Sequence, residues 1–272
     1  MAIIWQDTRD GAHYQVRTAG KTLRLYTEGV LHSQYNPVKT LTGSVWDLLF
    51  LPSLCLISES SLNPVSPITQ LEIQLLKNNP LKNNPLKVLV LGVGGGAVLH
   101  MMNTFFNCEK IVGLELNPTH IEIAKRYFSL NETVFELIET DAIEWVENYN
   151  GEKFDVIIDD LFYEESGEPI KVAPPTSTWF YHLYRHLRPG GIVIMNFVGR
   201  ASAMSAAPLH DSNVKKFLPN GIHLTTPHYD NHVLAFSNRP LNSQLIRQAI
   251  NQHEKLKSLK QTLRFSCRTL KY

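Results

Sequence analysis

From Val88 onward the chain alternates two kinds of apolar pattern. Short continuous runs rich in β-branched residues are followed by longer stretches whose apolar positions recur every three or four residues. KVLVLG predicts a strand and GGAVLHMMNTF a helix; KIVGLEL predicts a second strand and PTHIEIAKRYFSL a second helix, with Pro118 near its start. VFELIET and AIEWVENY continue the alternation, as do FDVIIDD and STWFYHLYRHL, where Ser177 is the candidate helix cap. A PGG turn leads into a fifth run, IVIMNF. Strands that are apolar throughout and joined by helices imply a parallel sheet with right-handed crossovers, covered on both faces. GIHLTTPHYDNHVLAFSN predicts a closing antiparallel hairpin, and NSQLIRQAINQHEKLKSL a polar helical tail.

Upstream the rhythm is different. HYQVRTAG and KTLRLYTEG, punctuated by Gly20 and Gly29, predict a small β-meander. Residues 44–57 are apolar enough for a buried helix, with Pro52 marking a break. Residues 58–86 read as a looser connection with a short helix about Ile68 to Leu76, and the direct repeat LKNNPLKNNPLK at 76–87 reads as a duplicated linker. The expected division is a β-rich unit at 1–43, a helix and linker at 44–87, and the main domain at 88–272.

Composition narrows the function classes. The 272 residues are 43% hydrophobic and 19% charged, enough for a sizeable core. The formal net charge of +1 gives no overall field for nucleic acid or a membrane surface. Three widely spaced cysteines, Cys55, Cys108 and Cys267, fit a reducing compartment rather than a disulfide framework or zinc site. The N-terminus lacks the basic start and apolar stretch of a signal peptide, and the most apolar run, LLFLPSLCLI, is about half the length that spans a bilayer. A cytoplasmic protein is expected.

The strongest chemical signal is LGVGGGAVL, where Gly92, Gly94 and Gly96 sit at the turn from first strand to first helix. Glycines there let a nucleotide approach the backbone, and Gly92, Gly94 and Ala97 also satisfy the dinucleotide pattern G-x-G-x-x-A. Glu115, at the end of the second strand, suits ribose hydroxyls in either class of cofactor. Asp141, ending the third strand ahead of Ala142, is placed to accept from an adenine amino group. With the L-R-P-G-G turn before the fifth strand, that second acid favours S-adenosylmethionine over NAD.

These segments resemble the class I S-adenosylmethionine-dependent methyltransferase fold. VLVLGVGGGAV, IVGLELNP, FELIETDA, FDVIIDD, FYHLYRHLRPGGIVI and HVLAFSNRPL, with LYTEGVLHS in the N-terminal β-rich extension, resemble more narrowly the spermidine synthase-like (polyamine aminopropyltransferase-like) branch. The resemblance implies a Rossmann-like α/β fold with a mostly parallel seven-stranded sheet and a closing antiparallel hairpin. It also implies a transferase using S-adenosylmethionine or its decarboxylated form, without a metal. An aminopropyl or alkyl group would pass to a small acceptor, most naturally an amine. In that branch the strand F-D-V-I-I-x-D runs on into D-S-S-D-P; Asp160 falls on the first aspartate, where it would orient or deprotonate the acceptor, and Tyr163 replaces the second. The branch's D-G-x-x-Q segment becomes Glu28, Gly29, Val30, Leu31 and His32, which makes His32 a candidate cofactor contact. The Y-H-E segment of the polyamine pocket falls near GSVWDLL, where its residues are not evident. The nucleoside half of the site is thus kept and the polyamine half largely rewritten. Methyl transfer to a small molecule and a catalytically silent nucleoside-binding homologue both stay open, and the branch's habit of dimerising makes a homodimer the expectation.

Other residues carry less. Asp159 is expected to point away from Asp160 along the strand and to be structural. Glu164, Glu165 and Glu168 are a candidate acidic gate for a cationic amine, or a solvated loop. His182 and His186 have the helical spacing of a metal pair but no acidic third ligand, and read as partly packed surface residues. His228 and His232 flank the turn of the closing hairpin with no partner assignable.

Overall fold

The computed structural model describes residues 1–57, 85–165 and 168–272; the expected helix about Ile68 and most of the linker repeat lie outside the described residues. The N-terminal meander is complete and has one strand more on each side than the two anticipated. β1 (Ala2–Arg9), β2 (Ala12–Ala19), β3 (Thr22–Thr27) and β4 (Val30–Tyr35) pair antiparallel in chain order. The apolar stretch after it forms α1 (Trp46–Phe50) and α2 (Leu54–Ile57), separated by a 3-10 turn that carries Pro52. Asp47, inside α1, turns back to accept from the Thr42 and Gly43 amides at 2.8 Å each, tying the incoming loop to the helix start.

The main domain follows the predicted alternation: β5 (Leu86–Leu91), α3 (Ala97–Phe105), β6 (Cys108–Glu115), α4 (Pro118–Tyr127), β7 (Phe135–Glu139), α5 (Ala142–Asn148) and β8 (Phe154–Asp159). A short hairpin, β9 (Phe162–Glu165) and β10 (Glu168–Lys171), then interrupts where a loop was expected. α6 (Ser177–Arg185) and β11 (Leu187–Val198) resume the alternation, and α7 (Arg200–Met204) and α8 (Ser212–Phe217) lead to the hairpin β12 (Asn220–Thr225) and β13 (Asn231–Ser237). The tail forms α9 (Ser243–Gln252), α10 (Glu254–Leu259) and β14 (Ser266–Leu270). Among the described residues no helix is long and apolar enough to cross a membrane.

The central sheet has the order β14-β12-β13-β11-β8-β5-β6-β7. β7, β6, β5, β8 and β11 run parallel, and β13 pairs antiparallel on both sides. The sheet is therefore eight-stranded rather than seven-stranded, because β14 returns to cover the edge that β12 would expose. Residues alternate across it: Val88, Val90, Val156 and Ile158 pack with α1, α2, α3 and α9, whereas Leu89, Leu91 and Ile157 pack with α5 and α6. The cap of α6 is Thr176 and not Ser177; Thr176 is extended (φ −78°, ψ 165°) and accepts from the Trp179 amide, while the Ser177 hydroxyl donates to Asp211 at 2.5 Å.

The two sheets meet through a small third core. Tyr14, Val16 and Leu25 from the meander close over Ile123 and Phe128, which end the second crossover of the main domain. Phe128 is 0% exposed. Phe128→Ala is expected to lower the free energy of unfolding by about 3–5 kcal/mol, read by urea titration. Limited proteolysis should then cut first within residues 1–35.

Candidate active site

The parallel register aligns the carboxyl ends of five strands, so the predicted site residues come together although they are far apart in sequence. Leu91 pairs with Leu114 on one side and Asp159 on the other, and Met195 pairs with Asp159. Gly92, Glu115, Asp141, Asp160 and Asn196 each follow, or lie close to, one of these strand ends.

Glu115 organises this edge. Its Oε2 accepts from the amides of Val93 (3.0 Å) and Gly94 (2.8 Å), and its Oε1 from that of Asn117 (3.0 Å). His120 Nδ1 stands 3.7 Å from Oε1, an electrostatic contact too long for a hydrogen bond. Burial opposes the charge on Glu115, but His120 and the Asn117 and Gly94 amides outweigh it and hold the carboxyl below its usual range. A carboxylate offers about four acceptor positions, and the protein's own amides occupy three of those of Glu115.

The glycine loop is also used differently from the simplest expectation. Gly92 is left-handed (φ +83°), and a Cβ there would lie 2.5 Å from the carbonyl oxygen of Asp160. A Cβ on Gly94 (φ +53°) would lie 2.8 Å from the carbonyl of His32. The close approach that these two glycines permit is by the chain's own backbone. Gly96, the residue before α3, completes the turn.

His32 is thereby fixed beside the loop. Its ring centroid is 4.9 Å from that of His120, whose Nε2 lies 2.8 Å from Thr27 Oγ1. Burial and the neighbouring His120 lower the His32 pKa to about 4, against the pull of Glu115. Its buried Nε2 has no hydrogen-bond partner among the described residues. Asp141 caps α5, accepting from Ile143 (2.7 Å) and Glu144 (3.2 Å) through Oδ1, while Ala142 is buried as the first helical residue. Leu116, the residue after Glu115, is 69% exposed. Sequence reasoning passed over it; a bulky apolar residue just past a strand end was the available signal.

The two aspartates that end β8 part company. Asp159 is 0% exposed; its Oδ2 accepts from Trp179 Nε1 and its Oδ1 from Lys171 Nζ, both at 2.9 Å, which bears out a structural residue. Asp160 lies on the other side of the strand path, its Oδ1 accepting from Asn196 Nδ2 at 2.8 Å, and Asn196 in turn accepts from Asn231 Nδ2 at 3.2 Å. Burial pushes the Asp160 carboxyl up to about 7, and Asp159 adds to the rise, while the Asn196 amide and Lys171 pull it back. Neither asparagine carried a sequence signal. Among the described residues no contact is recorded between Tyr163 and this carboxylate: Tyr163 is 48% exposed and shares a hairpin face with Ile170, whereas Phe162 and Lys171 form the opposite face. Glu164, Glu165 and Glu168 belong to the hairpin backbone, and their side chains lie outside the described residues.

Other histidines have partners of their own. His186 Nε2 lies 2.7 Å from the carbonyl of Val146, His232 pairs with His223 at 2.7 Å, and all three cysteines are free. Among the described residues no group of three or more His, Cys, Asp or Glu side chains is placed to hold a metal.

Sheet order and carboxylate edge together define a Rossmann-like fold of the class I S-adenosylmethionine-dependent methyltransferase type. Residues 74–239 match the spermine/spermidine synthase domain, and the chain belongs to that family. A polyamine aminopropyltransferase of Chromobacterium violaceum is 27% identical over 112 residues, 40% of this chain and 41% of that protein. An eEF1A lysine and N-terminal methyltransferase homolog of Drosophila pseudoobscura pseudoobscura is 24% identical over 149 residues, 52% of this chain and 22% of that protein. The aligned part is thus less than half the length of either relative. Among solved structures, a probable spermidine synthase from Corynebacterium glutamicum superposes with a TM-score of 0.67 at 14% identity, covering 95% of this chain and 94% of that one. A spermidine synthase in complex with the transition state analogue AdoDATO gives 0.59 at 15% identity, covering 93% and 78%. At these identities the likeness is one of fold.

The Asp160 carboxyl makes stability depend on pH in an unusual direction. The unfolded group ionises near 3.8 and the folded one near 7. Between these values the native state binds the extra proton, so this group's contribution to stability falls as pH rises from about 4 to 7. Asp160→Asn should remove that component, gaining on the wild type by up to about 1.4 kcal/mol per pH unit across the window, read by urea titration at several pH values. An unchanged difference between the two proteins across that range would contradict the assignment.

Proposed function

We propose that the chain is a transferase that takes an aminopropyl or methyl group from decarboxylated S-adenosylmethionine or S-adenosylmethionine and delivers it to a small amine. The observation that carries this reading is Asp160: its carboxyl is held by Asn196 with the pKa raised to about 7, at a residue whose backbone carbonyl lies against Gly92. A base is most useful when its pKa lies near the working pH.

The residues suit a sulfonium nucleoside. Leu116 supplies an apolar surface for the base, Asp141 Oδ2 has no partner among the described residues, and one acceptor position on Glu115 suits a ribose hydroxyl. Gly92, Gly94, Gly96, Ala142 and His32 shape the wall beside it. When bound, the nucleoside supplies an electrophilic carbon whose leaving group is a neutral thioether. The protein's share is to hold the acceptor nitrogen in line and to accept its proton at an Asp160 oxygen. As the new C–N bond forms, the C–S bond breaks and its electron pair stays on sulfur. A base that must be ionised works better as pH rises through about 7.

Calorimetry should therefore detect S-adenosylmethionine, its decarboxylated form and methylthioadenosine, with binding lost in Glu115→Ala, and should detect no NAD. In turnover, Asp160→Asn is expected to lower kcat by ~10²–10⁴-fold and to abolish the rise through neutral pH. The released nucleoside identifies the group moved: methylthioadenosine for aminopropyl, S-adenosylhomocysteine for methyl. Binding of NAD in place of the sulfonium nucleosides would overturn the reading.

A further inference from the structure

The Asn196 amide that holds Asp160 is itself held. An ionised carboxylate only accepts hydrogen bonds, whereas a primary amide has a donating end and an accepting end. Asn196 Nδ2 donates to Asp160 Oδ1 at 2.8 Å, and Asn196 Oδ1 accepts from Asn231 Nδ2 at 3.2 Å. The fold lines these groups up across three strands. Val156 and Ile158 of β8 and Ile192 and Ile194 of β11 pack in the same core layer, so Asp160 and Asn196 continue one face of the sheet at its carboxyl edge. In the β11–β13 register Val198 pairs with Asn231 and Asn196 with Val233, which makes the two asparagines diagonal neighbours on that face. The Gly199 amide donates to the Asp230 carbonyl at 2.8 Å and pins the start of β13 to the end of β11. Asn196 is 4% exposed, so its amide depends on these partners rather than on water. Asp160 Oδ2 has no hydrogen-bond partner among the described residues.

We propose that Asn231 is a positioning residue for Asp160: by donating to Asn196 Oδ1 it turns the Asn196 amide so that Nδ2 faces the carboxylate, which favours the ionised base and leaves Oδ2 to take the acceptor's proton. The catalytic consequence rests on the transfer reading above. The relay has a second arrangement. Asn196 Oδ1 turned toward Asp160 repels a carboxylate and is satisfied only by a protonated one, while Nδ2 then needs an acceptor at position 231. A half-turn of the Asn196 amide separates the two without moving the backbone, so the group at position 231 selects between them. The charges nearby do not make this selection. Lys171 and Asp159 act on Asp160 in opposite senses, and they pair with each other. Beside Asn231, His232 lies on the other face with Phe197, bonded to His223 and 3.9 Å from Asp230, and Arg200 and Arg268 bear on that histidine pair.

The test follows the titration of Asp160 in the full chain by two measurements. One is the carboxyl-carbon NMR signal of labelled aspartate, assigned by its loss in Asp160→Asn and independent of turnover. The other is the pH profile of kcat with either sulfonium donor, using n-butylamine and 1,4-diaminobutane as amine probes. Asn231→Leu removes the donor and should raise the midpoint from about 7 by roughly half to one pH unit, the size of one neutral hydrogen bond. Asn231→Asp has the same shape and only accepts, so it reverses the relay and should raise the midpoint by about one unit or more. In turnover both variants lose rate at pH 7, hold KM within about twofold, and regain kcat once the pH exceeds the new midpoint. A hairpin merely loosened by substitution does the opposite, because water reaching Asp160 brings its midpoint down toward 3.8. Tyr229→Ala, on the same turn and 44% exposed, should leave the midpoint where it is. The proposal is overturned if the midpoint stays or falls in the folded Asn231 variants, or if Tyr229→Ala raises it equally. Asn231→Asp carries the test alone should Asn231→Leu not fold. The expected NMR shift without turnover of either amine would count against the transfer reading and leave the relay standing.

Discussion

One buried carboxylate holds the functional edge of this protein together. Glu115 gathers the amides of Val93 and Gly94 from the β5–α3 turn and that of Asn117 from the start of α4. Its neighbours extend the network into the N-terminal meander, His120 meeting Thr27 and the Asn117 side chain donating to Tyr14 Oη at 2.8 Å. A buried charge is stable only when its acceptor positions are satisfied. Satisfying this one requires two loops and the neighbouring sheet to take a single relative position. The glycine turn is then held where Gly92 meets the Asp160 carbonyl and Gly94 meets that of His32. The meander is accordingly one wall of the site, with His32 and Ser33 packed on the glycine loop.

The end of β8 shows how two adjacent, chemically identical residues acquire different roles. Strand alternation sends Asp159 and Asp160 to opposite sides. On one side wait an indole N–H and an ammonium, on the other, among the described residues, the Asn196 amide. Full pairing makes Asp159 a structural anchor for the β9–β10 hairpin. Under-compensation in a partly buried place leaves Asp160 near the midpoint between its two protonation states at neutral pH, which is the condition for proton transfer. The hairpin brings Lys171 to Asp159 and carries Tyr163, the residue matched to the family's second aspartate, on its other face.

Much of the fold was legible because hydrophobic period is a local property. Runs such as VLVL and FDVII are apolar on every residue only if both faces will be covered, and the helices between them show their own three-to-four spacing. Errors came where local signals were nearly equivalent. Thr176 and Ser177 are both capable caps, and only the position at which the chain turns helical chose Thr176. LFYEESGEP has turn residues and no strong strand signal, yet it pairs as a hairpin because Lys171 and Phe162 bury against the sheet end. β14 is a short mixed segment that becomes a strand by completing an exposed edge.

Within the site, sequence alone determined the fold type, the placing of the glycine turn, and the carboxylates at successive strand ends, because those follow from spacing along the chain. Tertiary structure decided what each of those groups does. Glu115 spends most of its acceptor capacity on the protein, Asp141 caps a helix with one oxygen, and Asp159 and Asp160 take different partners, with burial raising the Asp160 pKa. A carboxylate's protonation and its free lone pairs depend on donors and cations a few ångströms away in space. Here those partners, Lys171, Trp179, Asn196 and His120, come from other elements, and no spacing in the sequence announces them.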